Sequence, residues 1–260
     1  MRQTLIDLAN NPNFISGIYN YCDRWCERCP FTSRCMVYAT EKEDDDGDPQ
    51  TRDITNEAFW RKLASIFEET KQMMADWAEA AGIDLSEVDE AANAQREKRR
   101  SDAANDELSV AATNYASTVT KWFTVFDQIL NVSDHAANES ETEELERIEE
   151  AREVIYWYQY QIAVKLMRAL SSRSNEAEWA DEVVDDEAKD SDGSAKVALI
   201  GIGRSVSAWR LMQMCLPERA DSIIPMILEL ERLRQRTELR FPKARDFVRP
   251  GFDEVLGDAN

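Results

Sequence analysis

Four of the chain's five cysteines fall within fourteen residues, at Cys22, Cys26, Cys29 and Cys35. The intervals hold three, two and five residues, in the run YCDRWCERCPFTSRC. Two intervening residues let adjacent thiolates grip one centre while the backbone turns, and the arm through Pro30 brings Cys35 round to close it. Four thiolates suit either a tetrahedral zinc or the corner irons of a [4Fe-4S] cube. Structural zinc sites usually draw paired ligands from two separated segments, whereas a larger cube tolerates four ligands from consecutive sequence. The spacing therefore favours a [4Fe-4S] cluster on Cys22, Cys26, Cys29 and Cys35, with zinc as the alternative metal and a metal-free thiol switch behind both. Arg24, Arg28 and Arg34 are placed to offset the negative charge of such a centre, and Tyr19, Tyr21, Trp25 and Phe31 to exclude water from it.

The run CERCPFTSRC resembles the end of the iron–sulfur loop of endonuclease III-type DNA glycosylases, in which two and then five residues separate the last three cysteines. The resemblance implies a cluster held by Cys26, Cys29 and Cys35, with Cys22 as fourth ligand, and it is confined to this run. The first three cysteines also match the spacing of radical SAM proteins. There, however, Arg28 stands where an aromatic residue is expected, and Cys35 would occupy the iron that must stay open.

A second constellation lies in REVIYWYQYQIAVKLMRAL, where Lys165 falls on the same helical stripe as Tyr158 and Ile162. A lysine on an apolar stripe must find a partner or lose its proton. Glu153, Tyr158, Gln161 and Lys165 are thus a candidate interhelical pocket, and they raise an enzyme as one reading of the chain. Cys215, among apolar residues, reads as a core thiol. With His135 the only histidine, a histidine-rich metal site is excluded, and a ferritin-like di-iron centre, which needs two Glu-x-x-His pairs, is strongly argued against. Gly201 and Gly203 in LIGIGRSV look like a phosphate loop, but no strand precedes them, and close helix–helix approach explains them better.

The elements that must position these residues are helical. Phe59, Leu63, Ile66, Thr70, Met73, Trp77 and Ala80 recur at helical spacing, as do Leu108, Ala112, Tyr115, Val119, Trp122, Phe126 and Ile129. Gly82 is placed to end the first of these helices, and Asn105 or Asp106 to cap the second. A third helix is expected from about Thr142 to Leu170, with Ala151, Ile155, Tyr158, Ile162, Lys165 and Ala169 on one stripe. A fourth is expected near Ala195 to Cys215, and a fifth from about Asp221, where Pro225 is tolerable in the first turn.

The expected fold is all-α, a bundle of about five long helices (56–240) behind an N-terminal four-cysteine module (1–40). Between them, residues 41–55 read as an acidic linker, and residues 241–260 as an extended tail strapped down by Phe247 and Phe252. The acidic runs EKEDDDGD and EAEWADEVVDDEAKDSD read as surface loops, because dense like charges resist collapse.

The 260 residues carry a formal charge of −20, so phosphate backbones and anionic lipid headgroups repel the chain. The run Arg96, Lys98, Arg99 and Arg100 is diluted by Glu97 and Asp102 and reads as a solvated helix face. With no run of signal-peptide or membrane-spanning character, the chain is expected to be cytoplasmic, in a compartment that keeps thiols reduced. A protein or redox partner is expected, and nucleic acid and membrane are not. The functional expectation is a metal-binding, iron–sulfur helical protein of redox or structural role, with a zinc-stapled interaction module as the alternative.

Overall fold

The computed structural model describes residues 8, 10–43, 46–84, 90–130, 139–178 and 189–253. Among these there are seven α-helices and no strand: α1 (Met36–Glu43), α2 (Glu57–Ala81), α3 (Glu90–Asn105), α4 (Glu107–Leu130), α5 (Glu139–Glu178), α6 (Asp190–Cys215) and α7 (Ala220–Arg240). The chain divides into two compact units, one comprising Met1–Tyr19 with Cys26–Ala94, the other Asn20–Trp25 with Gln95–Asn260. The expected acidic linker, 41–55, falls inside the first unit, and the division runs through the cysteine segment itself.

In the first unit, α2 begins where the Asn56 side chain accepts a hydrogen bond from the Ala58 N–H at 2.9 Å. It ends at Gly82, whose φ of 68° is a left-handed conformation that glycine adopts without penalty. The Ile83 N–H then closes back on the Ala78 carbonyl at 2.8 Å. Only Ala78 of this helix is buried, and Trp77 of the expected seam is exposed. The described ends of the acidic run 41–48 are not free loop: Glu41 to Glu43 close α1, and Asp46 pairs with Lys62 at 2.9 Å. Asp48 caps the short turn Pro49–Thr51.

In the second unit, α4, α5, α6 and α7 pack around one core. Asp106, not Asn105, caps α4, accepting from the Leu108 N–H at 2.8 Å. Leu108, Ala112, Tyr115, Val119 and Phe126 of its seam are buried, and the whole α5 stripe from Ala151 through Lys165 to Ala169 is buried as well. Alternate three and four spacing lines these side chains along one face, and each helix supplies the wall that the next needs. The core centres on Trp209, stacked on Phe123 with ring centroids 5.7 Å apart and edge-on to Trp122 at 5.1 Å. The Trp209 indole N–H donates to the Tyr115 hydroxyl at 2.9 Å, so its one polar group is satisfied in the interior.

Two boundaries differ from expectation for tertiary reasons. Helix α6 starts at Asp190 rather than near Ala195, because a neighbouring helix caps it: the Glu176 carboxylate accepts from the Ser191 N–H at 2.9 Å and hydroxyl at 2.7 Å. The acidic run 176–192 is therefore helical at both ends, and residues 179–188 lie outside the described residues, as does His135. Pro225 falls in the second turn of α7, not the first, so the Asp221 carbonyl loses its helical partner on an exposed stretch of the helix.

Residues 241–253 form a series of turns rather than an extended tail, and residues 254–260 lie outside the described residues. Phe241 and Phe247 are buried, and the Arg249 guanidinium lies over the Phe252 ring at 4.8 Å. Asp253 accepts from Lys196 at 2.8 Å and from Arg249 at 2.9 Å. Burial works against that carboxylate's ionisation, but the bonds from Arg249 and Lys196 outweigh it and hold its pKa far below the usual range.

Gly201 and Gly203 part company. A Cβ on Gly201 would sit 2.9 Å from Cδ1 of Tyr158, whereas one on Gly203 would meet nothing within 4 Å. Gly201→Ala is thus expected to destabilise the protein by about 2 kcal/mol through overpacking. Gly203→Ala, on an exposed helical turn, is expected to stabilise it by about 0.5–1 kcal/mol. Urea unfolding of the two variants measures both.

Candidate functional site

The segment Asn20–Trp25, which carries Cys22, is held against α5 and α6 by side chains at every turn. Its anchor is Asp23. One carboxylate oxygen accepts from the Tyr158 hydroxyl at 2.5 Å and pairs with Arg204 at 2.5 Å. The Asp23 backbone carbonyl accepts from the Trp157 indole at 2.9 Å and from the Gln161 amide. Arg204 also donates to the Tyr158 hydroxyl and lies over its ring at 5.6 Å, so cation, phenol and carboxylate form a closed triangle. Burial, reinforced by the Asp23 charge, pushes the Tyr158 pKa well above that of an ordinary phenol.

Either side of Asp23, aromatic rings complete the contact. Trp25 is buried and stacks on Trp157 at 4.9 Å. Tyr21 packs on Phe247 at 4.6 Å, over Gly193 of α6, where a Cβ would be driven into both rings. The Tyr21 hydroxyl donates to Asp190 at 3.0 Å, and burial with that carboxylate pushes its pKa up to about 12. Asp190 also accepts from Arg168 at 2.7 Å and Ser172 at 2.6 Å. Although burial disfavours its charge, these bonds hold its pKa below the usual carboxylate range. Between the two anchors Arg24 adopts φ 58°, a left-handed conformation that is unfavourable for a residue with a Cβ. The bonds at Asp23 and the Trp25 stack hold it there.

Three of the four residues proposed as an interhelical pocket therefore face this segment. Tyr158 and Gln161 hold Asp23, and Lys165, 8% exposed, donates to the Asn20 carbonyl at 3.2 Å. Burial lowers the Lys165 pKa, with the neighbouring Cys22 opposing it, and burial likewise pushes the Cys22 thiol up. Glu153 is solvent-exposed on α5. Asp23, Arg204 and Asp190 carry much of the anchoring and had no signal of their own in the sequence. Only the short interval between Asp23 and two cysteines marks it, and Arg204 is one more surface-type cation in the run GIGRSV.

Cys26, Cys29 and Cys35 belong to the first unit. Cys26 opens a 3₁₀ turn, Cys26–Arg28, that brings the Cys29 N–H to the Cys26 carbonyl at 3.2 Å. The Phe31 N–H then donates to the Cys29 sulfur at 3.4 Å. A second turn, Thr32–Arg34, sets Cys35 at the entrance to α1, and Arg34 donates to the Asn13 carbonyl at 3.3 Å. None of the four is joined in a disulfide and each is half-buried, as is Cys215. Among the described residues no three histidine, cysteine, aspartate or glutamate side chains are gathered closely enough to hold a metal ion.

No family model, curated protein or solved structure matches this chain. Fold and site together define an all-α protein in which the first arm of a four-cysteine run is clamped onto a helical bundle. None of its described helices is long and apolar enough to cross a membrane.

Proposed function

We propose that the chain is a metal-binding helical protein whose Cys22, Cys26, Cys29 and Cys35 hold a [4Fe-4S] cluster in a redox or structural role. The observation that supports it most is the turn at Cys26–Cys29, where a backbone N–H already points at the Cys29 sulfur. Hydrogen bonds of this kind stabilise thiolate charge and tune a metal centre. When bound, a cluster supplies one-electron redox chemistry or a covalent staple.

The same turn also serves a zinc site, and a single experiment separates the two. Anaerobically purified protein is expected to show broad visible absorption with stoichiometric iron and acid-labile sulfide, all lost in a variant with Cys26 and Cys29 changed to serine. Colourless protein with one bound zinc would replace the cluster by the zinc-stapled interaction module, and protein with neither metal would end both readings.

A further inference from the structure

Helix α2 is 25 residues long, yet Ala78 is its one buried residue. Trp60 is 54% exposed, Phe67 64%, Met74 59% and Trp77 64%. At intervals of seven, seven and three residues these side chains share one face of the helix. Beside them Phe59, Leu63, Ile66 and Met73 are half-buried. A helix draws most of its stability from packing an amphipathic face against a neighbour, and the described elements of its unit leave this face open.

The open surface is large for a monomer. Taking about 200 Å² for each large side chain, the four exposed residues present about 500 Å² of apolar surface. Monomeric proteins rarely leave a contiguous apolar patch larger than a few hundred Å² uncovered. Charge is also missing where the rest of the chain has it in excess. The chain carries −20, yet no charged residue interrupts the seam Phe59, Leu63, Ile66, Thr70, Met73 and Trp77 or its flank Trp60, Phe67 and Met74.

The spacing identifies what covers it. From Phe59 to Trp77 the seam alternates four and three residues without a break, the 3.5-residue repeat at which two helices of one pattern interlock knobs into holes. Such a helix is its own complement. Laid antiparallel about a two-fold axis beside Glu68, Leu63 of each copy opposes Met73 of the other, Ile66 opposes Thr70, and Phe59 opposes Trp77. Lys62 of each copy then flanks Asp76 of the other, and the two helix dipoles run in opposition. With the half-buried seam included, two copies joined in this way bury about 1,300 Å², within the range of stable interfaces. We infer that the protein associates with a second copy of itself through α2, as an antiparallel two-helix coiled coil. The inference is independent of the cysteine centre.

Analytical ultracentrifugation of the full chain tests it. At tens of micromolar the protein is expected to sediment as a dimer, at twice the 29.8 kDa mass of the chain. Phe67→Glu and Trp77→Glu replace exposed side chains, so each is expected to keep the far-ultraviolet circular dichroism of the unaltered chain. Each is expected to weaken association by about tenfold or more, and the two together to leave a monomer. Met214→Glu, at an apolar position 76% exposed on the second unit, is expected to leave the dimer intact. Should the double variant fail to fold, hydrogen exchange of the unaltered chain carries the test: raising its concentration is expected to slow exchange within residues 57–81 and not elsewhere. Carbodiimide is expected to couple Lys62 to Asp76 in the dimer, a link that must join two copies because the residues lie about 21 Å apart along one helix. A monomer at tens of micromolar overturns the inference and leaves the face to a different protein. So does a dimer that survives the double variant, one lost in Met214→Glu, one whose α2 exchange ignores concentration, or one without the Lys62–Asp76 link.

Discussion

Replacing Trp209 by alanine is expected to cost about 4 kcal/mol of folding stability, the largest loss of any single truncation in the second unit. Trp209 heads the fully buried side chains of the core by size. Its ring is shared between α4 and α6, face to face with Phe123 and edge-on to Trp122. Truncation removes that buried apolar surface and leaves a cavity that three rigid rings cannot collapse to fill. It also strips the Tyr115 hydroxyl of its indole donor in a site that is almost wholly buried. Trp209→Phe separates the two effects: it keeps a ring in the stack and loses the hydrogen bond, for an expected cost of about 2 kcal/mol. Denaturant unfolding followed by circular dichroism measures both. A loss below about 1 kcal/mol for the alanine variant would mean that the ring is not packed as described.

Asp23→Ala is expected to cost about 3 kcal/mol, because one side chain serves Tyr158, Arg204 and the register of the cysteine segment together. Removing it leaves the buried Tyr158 hydroxyl without its carboxylate acceptor and Arg204 without its counter-ion. Arg204 is half-exposed and re-solvates at little cost, so most of the loss comes from Tyr158 and from the released backbone at Arg24. Tyr158→Phe, which removes only the hydroxyl, is expected to cost about 1 kcal/mol. The Trp25–Trp157 stack provides a local reporter: near-ultraviolet circular dichroism should lose its exciton-type signal in Asp23→Ala while far-ultraviolet helicity persists. A stack that survives the substitution would show that aromatic packing, not the carboxylate, holds the segment in place.

Helical periodicity made the second unit's core readable in advance. The α5 stripe through Ala151, Ile155, Tyr158, Ile162, Lys165 and Ala169 is buried throughout, and so are Leu199, Ile202, Val206 and Trp209 of α6. These positions follow from the 3.6-residue repeat, which is a property of each helix alone. The same reasoning failed for α2, whose apolar seam has the right spacing yet leaves Trp77 exposed, since spacing states which face is apolar and not what covers it. It also placed the start of α6 too late, because the cap on that helix is a glutamate on α5 rather than a neighbour in sequence.

At the candidate site, residue types and spacing by themselves determined the four thiols, the chemistry they suit, and the anomaly of Lys165 on an apolar stripe. Covalent spacing limits which ligands share a turn, and helical period limits which side chains share a face, so both are legible in one dimension. Only the tertiary structure decided that Asp23 meets Tyr158 and Arg204, that Tyr21 lies over Gly193, and that Lys165 turns to a backbone carbonyl rather than a carboxylate. Those contacts join residues more than a hundred positions apart. Which partners meet over such a distance is set by how whole helices pack, and no local pattern in the chain encodes it.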